Sequence, residues 1–271
     1  MVFAQIDELV RSRELTMNLV RRDMKVRHRG TFLGMLWSLT NPLLIVGLYW
    51  FIFTFLFKAA PTTDSMRPDG HAVPFALYLF GGLVIWGFFN TSAGASSGSI
   101  IGSGYLLGKV YFPRAILPLS TVLSALVTFG FELCVLMFIT IVLVGPPSFY
   151  ILWLPVVVAV AAVFSYGVGL LLATVTVFLR DVVHFVGVFL QLWFWGTPIL
   201  YSLKFLEGSR MHTLVELNPM TGIVLSFRNV VVLNRPPTAA LLAYDAGVAV
   251  VALVIGAWAF GRYQKLFSEI V

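Results

Sequence analysis

Long runs of apolar residues, separated by short polar segments, dominate this chain. Residues 32–57, 75–108 and 248–261 contain no charged side chain. An α-helix rises about 1.5 Å per residue and needs roughly 20 apolar residues to cross the hydrocarbon core of a bilayer. The pattern therefore predicts six membrane-spanning helices. Their expected ranges are 32–57, 75–95, 115–144, 149–179, 182–201 and 239–260.

Two further segments are apolar in part but do not read as spans. Residues 5–20 mix apolar and charged positions with helical spacing, which predicts an amphipathic helix in the membrane interface, followed by a basic run to residue 29. Residues 214–233 are broken by Asn218-Pro219, and Arg228 near the bilayer centre would cost at least ~2.5 kcal/mol. We therefore predict short re-entrant helices within 202–237, shielded by protein.

The predicted fold class is thus an all-α polytopic membrane protein, and its composition agrees. Of 271 residues, 59% are hydrophobic and 11% are charged, whereas soluble domains carry roughly 25% charged residues. With the N-terminus inside, twelve of the 18 basic residues fall on cytoplasmic segments, as expected when both termini are cytoplasmic. Because topology explains the net charge of +6, we expect membrane lipid and no nucleic acid as a partner.

The chain offers little catalytic chemistry. Residues 102–110 faintly resemble a phosphate-binding loop, but Ser103 replaces a required glycine and Val110 replaces the hydroxyl residue that would hold magnesium. The four histidines lack metal-ligand spacing, and the cytoplasmic loops supply almost only Asp23 and Asp181 as acidic groups. We therefore expect a protein that is not an enzyme, with no cofactor of its own.

The turn before the third predicted span is the most informative polar segment. It holds Lys109, Tyr111, Phe112 and Arg114, with Pro113 at the start of the next helix. Two cations and two aromatics in so short a turn indicate a rigid, exposed projection that could insert into a groove of another protein. An ordinary loop with interfacial aromatics is the alternative.

Several segments, in this order and spacing, resemble ABC-2-type permeases that export O-antigen, teichoic acid and related polymers. The matching segments are 19–29, 34–43, 109–120, 178–181, 195–201, 217–219 and 227–228. The resemblance implies one transmembrane domain over residues 1–271, in the bacterial inner membrane. It also implies a homodimer that works with two copies of a separate ATPase subunit, which would bind the ATP and magnesium.

The resemblance also assigns roles to residues. The coupling region, 97–114, would contact the ATPase through Lys109, Tyr111, Phe112 and Arg114. Arg180 and Asp181 are further candidates for this contact, although a local ion pair or a helix cap would also explain them.

An undecaprenyl-type lipid-linked polysaccharide would present its pyrophosphate near the basic run at the start of the first span. Arginine suits phosphate because its planar fork can make two parallel hydrogen bonds. The candidate pyrophosphate residues are Arg21, Arg22, Lys25, Arg27 and Arg29.

Aromatic side chains and one acidic residue are candidates for a glycan conduit, because aromatic faces stack on sugars without demanding one sequence. The candidates are Trp37, Trp193, Trp195, Tyr201 and Glu132. Interfacial belts and ordinary packing also explain the aromatics, and a hydrogen bond between helices also explains Glu132.

Other function classes remain open at this point. An ABC exporter of drugs or smaller lipids would share most of these features. A secondary transporter would usually show charged residues in several spans and repeated halves. A membrane-embedded transferase would need more acidic residues in its cytoplasmic loops than this chain has.

Overall fold

The computed structural model describes residues 12–28, 37–56, 66–107 and 112–270, and these residues form helices joined by short loops. Eleven α-helices are numbered α1 to α11 among these residues. They are α1 (Arg13–His28), α2 (Trp37–Phe51, continued by a π-helical turn, Ile52–Leu56), α3 (Phe75–Gly98), α4 (Gly104–Leu107), α5 (Ile116–Leu143), α6 (Leu154–Phe178), α7 (Val182–Trp195), α8 (Arg210–Glu216), α9 (Pro219–Val231), α10 (Ala239–Tyr263) and α11 (Phe267–Ile270).

Among the described residues, four helical segments are long and apolar enough to cross a membrane: Phe75–Gly98, Ile116–Leu143, Phe149–Phe178 and Ala239–Leu266. They correspond to the second, third, fourth and sixth predicted spans and make the chain a multi-pass membrane protein. The first and fifth predicted spans coincide with shorter apolar helices, Pro42–Phe51 and Val182–Trp195. At 14 residues, α7 is about 21 Å long and ends before the predicted boundary at residue 201.

Helix α3 is the centre of the bundle. Its most apolar 18-residue stretch is 72% buried, against 22% for the corresponding stretches of α5 and α10. Neighbouring helices therefore surround α3, while α5 and α10 face outwards. Phe88 meets Phe129 of α5, and Phe89 meets both Phe164 of α6 and Trp193 of α7. These ring contacts fix the positions of three helices around α3.

A second, smaller core lies at the end of the bundle near α1. Leu19 of α1 packs there with Ile116 at the start of α5, and with Phe260 and Phe267 from the chain's last helices. Half-buried Phe112 packs against the same core. This cluster holds the amphipathic helix and the turn before α5 together.

Helix α9 is buried inside the bundle, and its arginine is buried with it. Arg228 is 0% exposed and donates to three main-chain carbonyls: Tyr78 at 3.0 Å, Pro198 at 2.8 Å and Ile199 at 2.6 Å. Its guanidinium also lies 4.1 Å from the centre of the Tyr78 ring. Arg228 therefore joins α9, α3 and the turn after α7.

Two other arginines and an asparagine join the loops at the opposite end from α1. Buried Arg67 donates to the carbonyls of Val232 (2.8 Å) and Val144 (3.4 Å), and burial lowers the pKa of its guanidinium. Asn234, at φ 51°, accepts from Ser148 N–H and donates to the Pro146 carbonyl. Arg235 donates to the Met66 carbonyl at 2.6 Å. Main-chain carbonyls therefore bind Arg67 and Arg235, while Nη2 of Arg67 is buried with no hydrogen-bond partner among the described residues.

Candidate substrate and partner sites

A cavity lined by both polar and apolar groups lies between α1 and the ends of α3 and α5. Its main chamber has a volume of about 570 Å³, and an adjoining chamber measures about 360 Å³. Both are lined by Arg22, Asp23, Ala95, Gly102 and Thr121. Since a basic, an acidic and a hydroxyl side chain meet over a floor of small residues, the cavity can hold a polar group.

Arg22 is the cation of this cavity. Its Nε and Nη2 donate to Asp23 Oδ1 at 3.2 and 3.1 Å, and its Nη1 donates to the Tyr105 hydroxyl at 3.3 Å. The side chains of Arg22 and Asp23 remain 39% and 27% exposed, so the pair is accessible. An incoming anion can compete with Asp23 for a guanidinium that is already oriented.

The remaining basic residues of the predicted pyrophosphate site are distributed differently. Arg21 and Lys25 are exposed on α1 and do not line either chamber. The Arg27 side chain and the whole of Arg29 lie outside the described residues. Among the side chains that the structure describes, Arg22 is the member of the predicted set that reaches the cavity.

The predicted coupling residues that are described lie near the second core. Phe112 is half buried there and packs against that core. Arg114 Nη1 donates to the main-chain carbonyl of Gln264. Lys109 and Tyr111 lie outside the described residues.

Arg180 and Asp181 form the turn between α6 and α7. Arg180 Nη2 donates to the Ile270 carbonyl at 3.3 Å, and Asp181 is exposed at the N-cap of α7. Both arginines of the predicted contact, Arg114 and Arg180, thus bind carbonyls of the C-terminal segment. The ends of α6 and α10 and the turn before α5 consequently form one surface.

The predicted conduit residues that the structure describes differ in their surroundings. Trp193 is half buried against Phe89 and Phe164, and its indole donates to Asn218 Oδ1 at 2.8 Å, which is a packing role. Trp195 is 58% exposed, and the Tyr201 hydroxyl donates to its carbonyl. The Trp37 side chain lies outside the described set.

Glu132 is half buried on α5 and faces Gly87 of α3. A Cβ added to Gly87 would lie 3.8 Å from Glu132 Oε2. The absence of a side chain at Gly87 therefore leaves space beside this carboxyl group.

Sequence reasoning did not single out several exposed polar residues. Asn90 on α3 and Gln191 on α7 are exposed, and Tyr105 meets Arg22. Asn90 and Gln191 are each an amide inside an otherwise apolar run, and this pattern could have identified them. The signal for the cavity was the glycine- and serine-rich stretch at 96–104.

Comparison with known proteins decides the family. The sequence profile of the ABC-2 type transporter family matches residues 14–232. This chain belongs to that family. The predicted resemblance is therefore confirmed over most of the described structure.

Named relatives extend the match to nearly the full chain. It is 33% identical over 265 residues to the O-antigen export system permease protein RfbA of Myxococcus xanthus, covering 97% of this chain and 98% of the relative. A protein of the same name from Klebsiella pneumoniae is 29% identical over 262 residues, covering 95% of each chain. Both relatives are permease subunits by name.

Proposed function

We propose that this chain is the membrane-spanning permease of an ATP-driven exporter. It moves a lipid-linked polysaccharide, an O-antigen, teichoic acid or similar cell-envelope glycan, outward across the bacterial cytoplasmic membrane. Full-length similarity to O-antigen export permeases is the observation that carries this proposal. The accessible Arg22 in a cavity beside α1 supports it, because such a cavity suits the phosphates of a lipid carrier.

The assembly that follows is a homodimer with two ATPase subunits, which bind the ATP and magnesium. Both termini face the cytoplasm in this proposal. The ATPases contact the surface formed by the turn before α5, Arg180-Asp181 and the C-terminal segment. Arg114 and Arg180 both donate to carbonyls near the C-terminus, which supports this placement. A movement of the turn before α5 would be transmitted through these contacts to α6 and α10.

The direct test is co-expression of this chain with a separate ABC ATPase subunit from the same organism. The variants are Lys109→Glu, Tyr111→Ala and Arg114→Ala. The control is Arg235→Ala, because Arg235 binds the Met66 carbonyl at the end of the bundle opposite α1. We expect the wild-type chain to form a stoichiometric, detergent-solubilised complex that hydrolyses ATP. Lys109→Glu or Tyr111→Ala should lower the affinity of the two subunits at least tenfold, whereas Arg235→Ala should not.

Folding is monitored separately, because Arg114 also contacts the main chain of the C-terminal segment. Gel filtration and thermal unfolding of each purified variant distinguish lost coupling from lost structure. The proposal is wrong if the wild-type chain binds no ATPase, or if well-folded Lys109→Glu and Tyr111→Ala variants bind it as tightly as the wild type.

A further inference from the structure

An apolar groove opens between helices α6 and α10. Its volume is about 390 Å³, and its lining residues lie within 155–163 of α6 and 246–250 of α10. Every lining side chain is alanine, valine or proline, so the walls of the groove are apolar. The groove shares no lining residue with the two chambers beside Arg22 and is therefore a separate feature of the molecule.

The groove lies next to the place where the two helices touch. A Cβ added to Gly167 of α6 would lie 2.5 Å from main-chain atoms of Ala252 and Leu253 of α10. On both helices the groove residues come before this contact in sequence. The two helices are therefore parallel, and the groove lies between their N-terminal halves, where no lining side chain is larger than valine.

Hydrocarbon surrounds this groove in the membrane. Both helices belong to segments that are long and apolar enough to cross a bilayer, and the most apolar stretch of α10 is only 22% buried. From Pro155 to Val163 the groove extends about 12 Å along α6, close to the ~15 Å of hydrocarbon in one leaflet. Ser148 and Asn234, in the loops before α6 and α10, place the groove in the leaflet opposite α1. In the proposed topology this is the outer leaflet.

The width of the groove selects its occupant. A volume of about 390 Å³ over a length of about 12 Å gives a mean cross-section of about 30 Å². A helix is at least ~10 Å in diameter and has a cross-section of about 80 Å², so a helix from a second copy of the chain is too wide to enter. A single hydrocarbon chain, which is one row of methylene groups, is narrow enough.

Packing, and not the hydrophobic effect, favours a chain in this position. Lipid tails are as apolar as the groove walls, so transfer from lipid to the groove gains nothing from the removal of water. A chain in the groove contacts both helices at once, whereas an empty groove would leave the lining atoms without partners on one side. A chain held there therefore supplies contacts that α6 and α10 do not make with each other.

An aromatic turn marks the head-group end of the groove. The turn Phe149–Trp153 leads directly into α6, and the side chains of Tyr150 and Trp153 are 37% and 44% exposed. Tyrosine and tryptophan favour the membrane–water interface, because each combines an apolar ring with a polar atom. Pro155, the first groove residue, follows Trp153 by two positions. The groove thus begins at the depth where an acyl chain leaves its head group.

We propose that this groove binds one acyl chain of a membrane phospholipid and that the lipid is a fixed structural component of the protein. The head group of the lipid lies beside Tyr150 and Trp153, and its chain fills the space between the N-terminal halves of α6 and α10. The lipid thereby sets the separation of these two halves. This site does not depend on what the protein exports or on whether an ATPase binds to it.

Native mass spectrometry of the full chain tests the site. The protein would be extracted in mild detergent from membranes of phosphatidylethanolamine and phosphatidylglycerol, and the phospholipid retained per chain would be counted. Ala159→Phe fills the groove from an exposed position of α6. The matched control is Val142→Phe, at a 65% exposed side chain near the same end of α5 and outside the groove. We expect the wild type and Val142→Phe to retain one phospholipid per chain, and Ala159→Phe at least fivefold less.

Thermal unfolding separates loss of lipid from loss of structure. Phosphatidylglycerol added to the delipidated chain should raise the unfolding midpoint of the wild type and of Val142→Phe. It should not raise that of Ala159→Phe or of Val156→Phe, a second groove variant at a side chain that is 44% exposed.

Three results would overturn the proposal. The first is equal phospholipid retention by the groove and control variants, or no rise of the wild-type midpoint with added lipid. The second is retention of a polyprenyl lipid in place of phospholipid, which would assign the groove to a different lipid. The third is a groove variant that keeps its phospholipid but loses self-association by gel filtration, which would make the groove an interface between copies of the chain.

Discussion

At the scale of single residues, Gly82 shows how α3 accommodates a buried cation. A Cβ added to Gly82 would lie 2.7 Å from Cζ of Arg228 and would overlap its Nη2. The guanidinium has no room to retreat, because Tyr78, Pro198 and Ile199 hold it through their carbonyls. The glycine is therefore required by the arginine.

Gly82→Ala should destabilise the protein although alanine favours helix by about 1 kcal/mol. Displacing Arg228 loses at least one charge-assisted hydrogen bond, each worth about 1.5–3 kcal/mol, and leaves a buried charge poorly paired. We expect a net loss of about 2 kcal/mol or more, measured as a lower midpoint of thermal unfolding in detergent.

Gly130→Ala is the matched control for this substitution, because it lies inside α5 and its added Cβ would meet nothing within 4 Å. It should leave the unfolding midpoint unchanged or raise it. Equal midpoints for Gly82→Ala and Gly130→Ala would show that the Arg228 contacts do not hold the bundle together.

The sequence shows that Arg228 would be costly at membrane depth, but it does not show which groups bind its guanidinium. The cost of an arginine at membrane depth correctly argued against a simple span. Its carbonyl partners lie 29 to 150 residues away in sequence, and a carbonyl belongs to every residue, so no side-chain pattern marks them. The same holds for Arg114, whose partner is the main chain of Gln264.

At the scale of elements, the predicted helix bounds agree best with the structure where a helix is long and uniformly apolar. The third and sixth spans begin within a residue of α5 and α10, because proline- or glycine-containing turns bound those helices. The fifth predicted span extends six residues beyond the end of helix α7. Helix α7 ends at Trp195 because Gly196 forms its C-cap, and Pro198 in the next turn cannot donate a helical hydrogen bond.

The packing of α6 on α10 depends on two glycines. A Cβ on Gly167 would lie 2.5 Å from the main chain of Ala252 and Leu253, and one on Gly256 would overlap the Gly167 carbonyl. The two backbones are thus in direct contact, as small residues allow in membrane helix pairs. Main chain, unlike a flexible side chain, cannot move aside locally.

Gly256→Leu should therefore separate these helices and reduce the yield of monodisperse protein at least fivefold by gel filtration. Gly247→Leu, in the same helix but with nothing within 4 Å of its added Cβ, is the control and should be tolerated. If both variants purify alike, the close approach of α6 and α10 contributes little to stability.

At the scale of the whole molecule, the main question is how many times the chain crosses the membrane. Helices α8 and α9 have seven and 13 residues, or about 10 and 20 Å, so neither reaches across ~30 Å. The end of α9 lies with the loops bound by Arg67 and Asn234, and its start meets Trp193 near the end of α7. We therefore expect α8 and α9 to enter and leave on the same side.

Cysteine accessibility tests this topology after the single native cysteine, Cys134, has been replaced by serine. Single cysteines at Glu207 and Pro236, both exposed, should react with an impermeant maleimide added outside intact cells. Cysteines at Asp181 and Lys265 should react only after the membrane is opened, because the proposed topology places both the turn before α7 and the C-terminal segment in the cytoplasm. Reaction of Pro236→Cys only from inside would mean that the α8–α9 segment crosses the membrane, and it would put the C-terminus outside, where no ATPase could meet the surface around Arg114 and Arg180.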